Sequence, residues 1–211
     1  MRPLIAFVVL FACTSLRADE PPKGFTSLFN GKDLEGWKST ANMKVWGAEK
    51  EVIYCAGGGG GWLMTEKEYD NFELRLEYKM PPKGNSGVGI RSPLKGDPAY
   101  VGMEIQLIDD VGWPGKLAEW QHTGSIYNVV SAKKIHNKPI GEWNSITITA
   151  KGRKITVVNN GEVLVDANLD DYVQEHAKKH PGILREKGHI GLQSYNHRVE
   201  FRNLYLKPLD K

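Results

Sequence analysis

Cysteine is nearly missing from this chain. The 211 residues hold two, Cys13 and Cys55. A framework of internal disulfides is therefore excluded. Cys55 lies in the apolar run Val52-Ile53-Tyr54-Cys55-Ala56 and reads as a small core residue, not a nucleophile. Long apolar runs are missing too. Leu4 to Ala12 is nine residues, against the roughly 20 that a bilayer span needs. No run is long enough to cross a membrane as a helix. An excess of one charge is the third absence. The formal net charge is +3, and Arg2 and Arg17 fall in the expected leader. Without them 26 basic residues face 25 acidic ones, which gives no basic footprint for a nucleic-acid partner. Finally, the five glycines Gly57 to Gly61 precede no helical pattern. They match no dinucleotide or phosphate loop.

What is present begins with an export signal. Met1-Arg2-Pro3, the apolar run and Ser15-Leu16-Arg17-Ala18 read as a signal peptide over residues 1–18. Residues 19–23 then form a flexible tail, and 24–211 a single domain. Leu10-Phe11-Ala12-Cys13 approximates a lipoprotein cleavage site, but Phe11 is bulky for its place in that pattern. The expectation is a soluble protein of the periplasm or the exterior, with anchoring at Cys13 as the lesser reading.

The domain reads as strands and turns. Phe72 to Met80 places apolar residues at even positions and charges at odd ones, the mark of a strand with one wet face. Further strands are expected at 86–92, 103–108, 124–130, 144–150, 153–158, 162–165, 189–194 and 199–207. Asn159-Asn160-Gly161 is a hairpin turn. Helical spacing occurs only within 168–180, so at most one short helix is expected. Many short strands with Gly and Pro turns indicate an all-β sandwich or jelly roll of antiparallel sheets.

The most informative segment is Gly102-Met103-Glu104-Ile105-Gln106-Leu107-Ile108-Asp109. Alternation sends Met103, Ile105 and Leu107 to a core, and Glu104 and Gln106 to the other face. An acid beside an amide can floor a polar cleft for sugars. Strict alternation puts Asp109 on the core face, and a bulge would turn it round. On the preceding strand, Ser86 to Ser92, Arg91 is expected to point outward. Fourteen residues, Asp110 to Thr123, then carry Trp113, Trp120, Lys116, Glu119 and His122. Loops of that length often carry function, and tryptophan suits the apolar faces of sugar rings.

Several motifs stand together in order. They are Gly24 to Trp37 (GFTSLFNGKDLEGW), Gly84 to Arg91 (GNSGVGIR), the Glu104 strand, Gly124 to Tyr127, GEWNSITI from Gly141, NNGEVLVD from Asn159, Gly188 to Ser194, and Val199 to Leu204. Over residues 24–208 this set resembles the 3-keto-disaccharide hydrolase family. The resemblance implies a concanavalin A-like jelly-roll β-sandwich and cleavage of oxidised glycosides. A ketone at carbon 3 acidifies the hydrogen on carbon 2, so such a site needs a base, an enolate stabiliser and an acid.

Glu104 is the candidate base, or a ligand for a divalent metal. Arg91 is a candidate partner for the oxyanion, and His122 for proton transfer. Gln106 and Gln193 have the groups to read hydroxyls. Tyr127 and His197 are added by the family-like context, and Trp113 and Trp120 as stacking surfaces. The metal is unknown, and no cofactor is certain. His176 and His180, four apart, lack a third zinc ligand nearby. The expected partners are a small carbohydrate and an oxidoreductase that supplies the 3-keto sugar.

Two other readings share these residues. Glu104 to Asp109 echoes the acid strand of retaining β-glucanases, with Gln106 in place of the central acid and Asp109 as a second catalytic acid. A non-catalytic carbohydrate-binding module, or lectin, is the third reading.

Overall fold

Phe72 to Lys79 forms a strand with Phe72, Leu74, Leu76 and Tyr78 buried, as its alternation requires. The computed structural model describes residues 20–59 and 61–210. The expected leader lies outside them, as does Gly60. The strands are β1 (Thr26–Ser27), β2 (Trp37–Ser39), β3 (Trp46–Glu49), β4 (Val52–Cys55), β5 (Trp62–Tyr69), β6 (Phe72–Lys79), β7 (Asn85–Ser92), β8 (Met103–Ile108), β9 (Trp143–Lys151), β10 (Lys154–Asn159), β11 (Glu162–Asn168), β12 (Gly188–Gln193) and β13 (Val199–Pro208). One antiparallel sheet runs β11-β10-β9-β6-β13-β4-β3, with β1 beside β13. The second runs β2-β5-β12-β7-β8. The core lies between them, from Leu74, Ile146, Ile148 and Phe201 on one side to Leu63, Val88, Ile105 and Leu192 on the other. The all-β jelly-roll expectation holds. Helix is confined to single turns, α1 (Pro98–Val101) and α2 (Val173–His176), and short 3-10 segments. Among the described residues no helix is long and apolar enough to cross a membrane.

The β10–β11 turn follows its sequence signal, with Asn160 and Gly161 at φ +50° and +86°. The segment 124–130 does not form the expected strand. Gly124 N–H donates to the Gln106 carbonyl and Tyr127 N–H to the Glu104 carbonyl, so the segment lines the free edge of β8. It then turns back on itself: Val130 N–H donates to Ile126, and Asn128 sits at φ +55°. A left-handed residue cannot continue a ladder, and the covered edge is closed to other chains. The outer face of β8 is likewise not solvated, because all six of its residues are buried.

Arg91 departs furthest from its sequence reading. β7 and β12 slip register between His189 and Gly191, and Arg91 stands beside that slip at φ +49°. The irregularity re-aims its side chain. The guanidinium is fully buried and donates to the carbonyls of Asp70, Gly152 and Arg185. It therefore pins the β5–β6 turn, the β9–β10 turn and the segment before β12. Burial and neighbouring Arg153 depress its pKa, but three carbonyl partners satisfy the fork. Lysine has one point charge where arginine spreads five donors. Arg91→Lys is expected to cost about 2–3 kcal/mol, measured as a lowered urea midpoint with an unchanged slope. An unchanged midpoint would show that the fork is dispensable.

Candidate active site

Four strands of the smaller sheet set out the floor of a cleft. Register places Gln193 opposite Trp62, Gly191 opposite Met64 and Gly89, Gly89 opposite Glu104, and Gly87 opposite Gln106. Trp62, Met64, Gly191, Gln193, Gly87, Gly89, Glu104 and Gln106 thus share the face turned away from the core. Three glycines in the middle of this face leave bare backbone there, and large side chains lie over it. A Cβ added at Gly87 would stand 2.0 Å from Glu104 Oε1, and one added at Gly191 or Gly89 would stand 3.1 or 3.2 Å from the Trp62 ring. The floor is therefore the Trp62 indole, the Met64 thioether and the Glu104 carboxylate lying over bare peptide. A cleft of about 390 Å³ opens beside them, lined by Thr40, Trp62, Asp97, Gln193, Ser194 and Tyr195.

Glu104 is the chemical centre of this face. It is 3% exposed, and its Oε1 has no hydrogen-bond partner. Burial first, and the charge of Asp97 second, push its pKa well above the ordinary carboxylate value. Asp97 caps α1 by accepting from Ala99 N–H. Tyr127 stands at Glu104's side because its N–H donates to the Glu104 carbonyl across the β8 edge. Burial, with Tyr100 and Glu104 nearby, raises the Tyr127 phenol as well, so it keeps its proton near neutrality.

Aromatic rings crowd this end. Trp120 meets Tyr127 edge-on at 4.9 Å, Tyr100 meets Tyr127 at 6.4 Å, and Trp113 meets Tyr195 at 6.5 Å. Tyr100 also stacks on His180 at 4.9 Å.

The structure thus gathers Glu104, Gln106, Gln193, Tyr127, Trp113 and Trp120 about one sheet face. Other expected residues stand elsewhere. Arg91 is occupied with turn carbonyls. Asp109 is buried and accepts from the N–H groups of Lys83, Val111 and Gly112, so it holds the start of the long loop. His122 Nδ1 lies 2.8 Å from Asp110 Oδ1. The same carboxylate accepts from Asn137 and Thr123, and Asn137 meets Asn159 and Tyr78. This polar network ties the loop to the larger sheet. His122 lines a different depression, with Glu119, Lys133 and Lys134. His197 is exposed between β12 and β13, where its carbonyl accepts from Cys55.

Trp62, Asp97, Tyr100 and Tyr195 were not among the candidates. The available signal was the glycine pattern at 87, 89 and 191, which marks close approach in strands.

The donor set for a metal is thin. Among the described residues no three His, Cys, Asp or Glu side chains come together. The rings of His176 and His180 are 6.4 Å apart, and His180 Nε2 faces the Asn128 amide at 2.9 Å. These residues do not build a closed zinc site.

A 3-keto-disaccharide hydrolase of Bacteroides thetaiotaomicron is 28% identical, over 93% of this chain and 82% of its own length. The structure of a candidate glycosyl hydrolase from Parabacteroides distasonis superposes with a TM-score of 0.81 at 30% identity, covering 89% of this chain and 95% of that one. A carbohydrate-binding module from Bacillus subtilis shares the fold alone, with a TM-score of 0.57 at 12% identity over 84% and 97% of the two chains. The model of the 3-keto-alpha-glucoside-1,2-lyase-like domain matches residues 24–207, and the chain belongs to that family.

Proposed function

We propose that this protein cleaves 3-keto glycosides by elimination followed by hydration, with Glu104 as the base. The observation that carries the reading is a buried carboxylate with an unpartnered oxygen, on the sheet face whose Trp62 and Gln193 line a sugar-sized cleft. The name of the Bacteroides relative gives the substrate class. A raised pKa makes Glu104 a stronger base than an ordinary carboxylate.

Glu104 takes the proton from carbon 2, and the electron pair moves toward the ketone as an enolate. Collapse of the enolate restores the ketone, forms a carbon 1–carbon 2 double bond and breaks the bond from carbon 1 to the leaving oxygen. That oxygen takes up a proton. Water then adds at carbon 1 while carbon 2 regains a proton, so the net change is hydrolysis. Tyr127, protonated beside Glu104, is the donor to the enolate or the leaving oxygen. Gln106 and Gln193 face the hydroxyls, and Trp62, Trp113 and Trp120 supply apolar surface. No step is routed through a metal.

The substrate must come from an enzyme that oxidises the carbon 3 hydroxyl of a glycoside. Export by the leader would place both activities outside the cytoplasm.

A retaining glucanase needs two carboxylates about 5 Å apart. Asp109, the expected second one, is occupied by three backbone N–H groups, which counts against the Glu104–Asp109 pair. A lectin would need no group with a displaced pKa.

Turnover of a 3-keto glucoside beside its unoxidised parent tests the reading, with and without a chelator. Cleavage of the keto form alone is expected, and Glu104→Gln should lower kcat by about 10²- to 10⁴-fold. Saturable binding with no turnover, unchanged in Glu104→Gln and not rescued by added divalent metal, would establish the lectin instead.

Glu104 also predicts a pH effect on stability. Its proton is held more tightly in the folded chain than in the unfolded one. Its contribution is therefore fully present below the ordinary carboxylate pKa of about 4.3, and it is lost as pH rises through the folded value. Glu104→Gln removes that loss. The variant should be more stable than the parent at mildly alkaline pH and show a flatter stability profile in urea titrations. Parallel profiles would show that Glu104 is not desolvated.

A further inference from the structure

Gly87 needs an explanation that its backbone does not provide. It lies inside β7, paired with Gln106, and is not among the positive-φ residues. Any residue can adopt that conformation. Glycine within a strand costs roughly 0.5–1 kcal/mol relative to alanine, so its presence points to close approach. What approaches is Glu104. A Cβ at Gly87 would stand 2.0 Å from Oε1 and 2.7 Å from both Cδ and Cγ. All three atoms are the reactive end of one side chain. Gly89, two residues on, differs: its added Cβ would meet Trp62, Ser92 and Pro98 at 3.2 to 3.4 Å, contacts that small shifts relieve.

We propose that Gly87 is the positioning residue for Glu104: bare backbone there lets the carboxylate lie flat on the sheet, and a single methyl group displaces it. The inference rests on Glu104 as the base only for its kinetic consequence. Its geometric content stands without that reading. Glu104 is buried and has little room to retreat. Burial and the charge of Asp97, which caps α1, raise its proton affinity at this position. Tyr127 stands beside it at the edge of β8. A carboxylate pushed off Gly87 meets a different set of neighbours and more water.

The experiment is Gly87→Ala, read in two ways. Carbon-13 NMR of the Glu104 carboxyl gives its titration midpoint without any substrate. A midpoint displaced by one unit or more toward the ordinary range is expected, in a protein that keeps its strand content. Kinetics on a 3-keto glucoside should show kcat down at least 100-fold, KM within about threefold, and a shifted acid limb of the pH profile. An unchanged midpoint with unchanged kcat overturns the proposal. A displaced midpoint in a protein that turns over no keto glycoside, even as the parent, upholds the positioning and defeats the catalytic reading. If Gly87→Ala does not fold, the pair Gly87→Ala and Glu104→Asp decides. The aspartate is one methylene shorter, so recovery of folding assigns the clash to Glu104, and continued failure overturns it.

Discussion

The contact between the Glu104 carboxylate and the bare backbone of Gly87 governs the architecture around it. A carboxylate leaves water only if it is paired or if its pKa moves. Here Oε1 has no partner, and the pKa rises. That state costs folding free energy, and it persists because the surroundings close over it from three directions. Tyr127 is hydrogen-bonded to the β8 edge on one side, α1 brings Asp97 and Tyr100, and Trp62 lies across Gly191 and Gly89 on the neighbouring strands. Trp62 and Pro98 of α1 lie close over Gly89, where a side chain would crowd them.

Two buried ions of opposite sign show how structural and chemical roles separate. Arg91 and Glu104 are both removed from solvent on neighbouring strands of one sheet. Arg91 donates to three carbonyls and is satisfied, so its charge strengthens turns. Glu104 leaves an oxygen without a partner, and its pKa rises instead. Asp109, Asp110 and His122 follow Arg91: each has partners that organise the long loop. Residue type made Arg91, Glu104, Asp109 and His122 candidates together. The count of unmet hydrogen bonds distinguishes them.

Regular alternation made β6, β9, β10 and β13 legible in the sequence, because each has one wet face and one core face. The Asn160-Gly161 turn was legible for a local steric reason. β5 was not, since Trp62, Leu63 and Met64 are buried on both faces and show no period. The 124–130 segment has strand composition, but Asn128 turns it back, and only the free edge of β8 explains its course. Alternation sent Arg91 outward, and a register slip with a partner 100 residues away in the chain reversed it. Glu104, Gln106 and the loop tryptophans were legible because they lie on or beside one strand. Trp62, Tyr100 and Tyr195 come from β5, α1 and the β12–β13 link, and their meeting is a property of sheet order.

The sandwich itself does not choose among an eliminating enzyme, a retaining glucanase and a lectin, because all three occupy such folds. The choice falls to the number of free carboxylates. Displacement at carbon 1 needs a nucleophile and an acid standing across the glycosidic bond. Elimination beside a ketone needs one base, since the substrate's own carbonyl stores the electron pair. With Glu104 open, Asp109 spent on backbone amides, Asp97 capping α1 and Tyr127 protonated at Glu104's side, the site fits the proposed elimination route, which asks for one base.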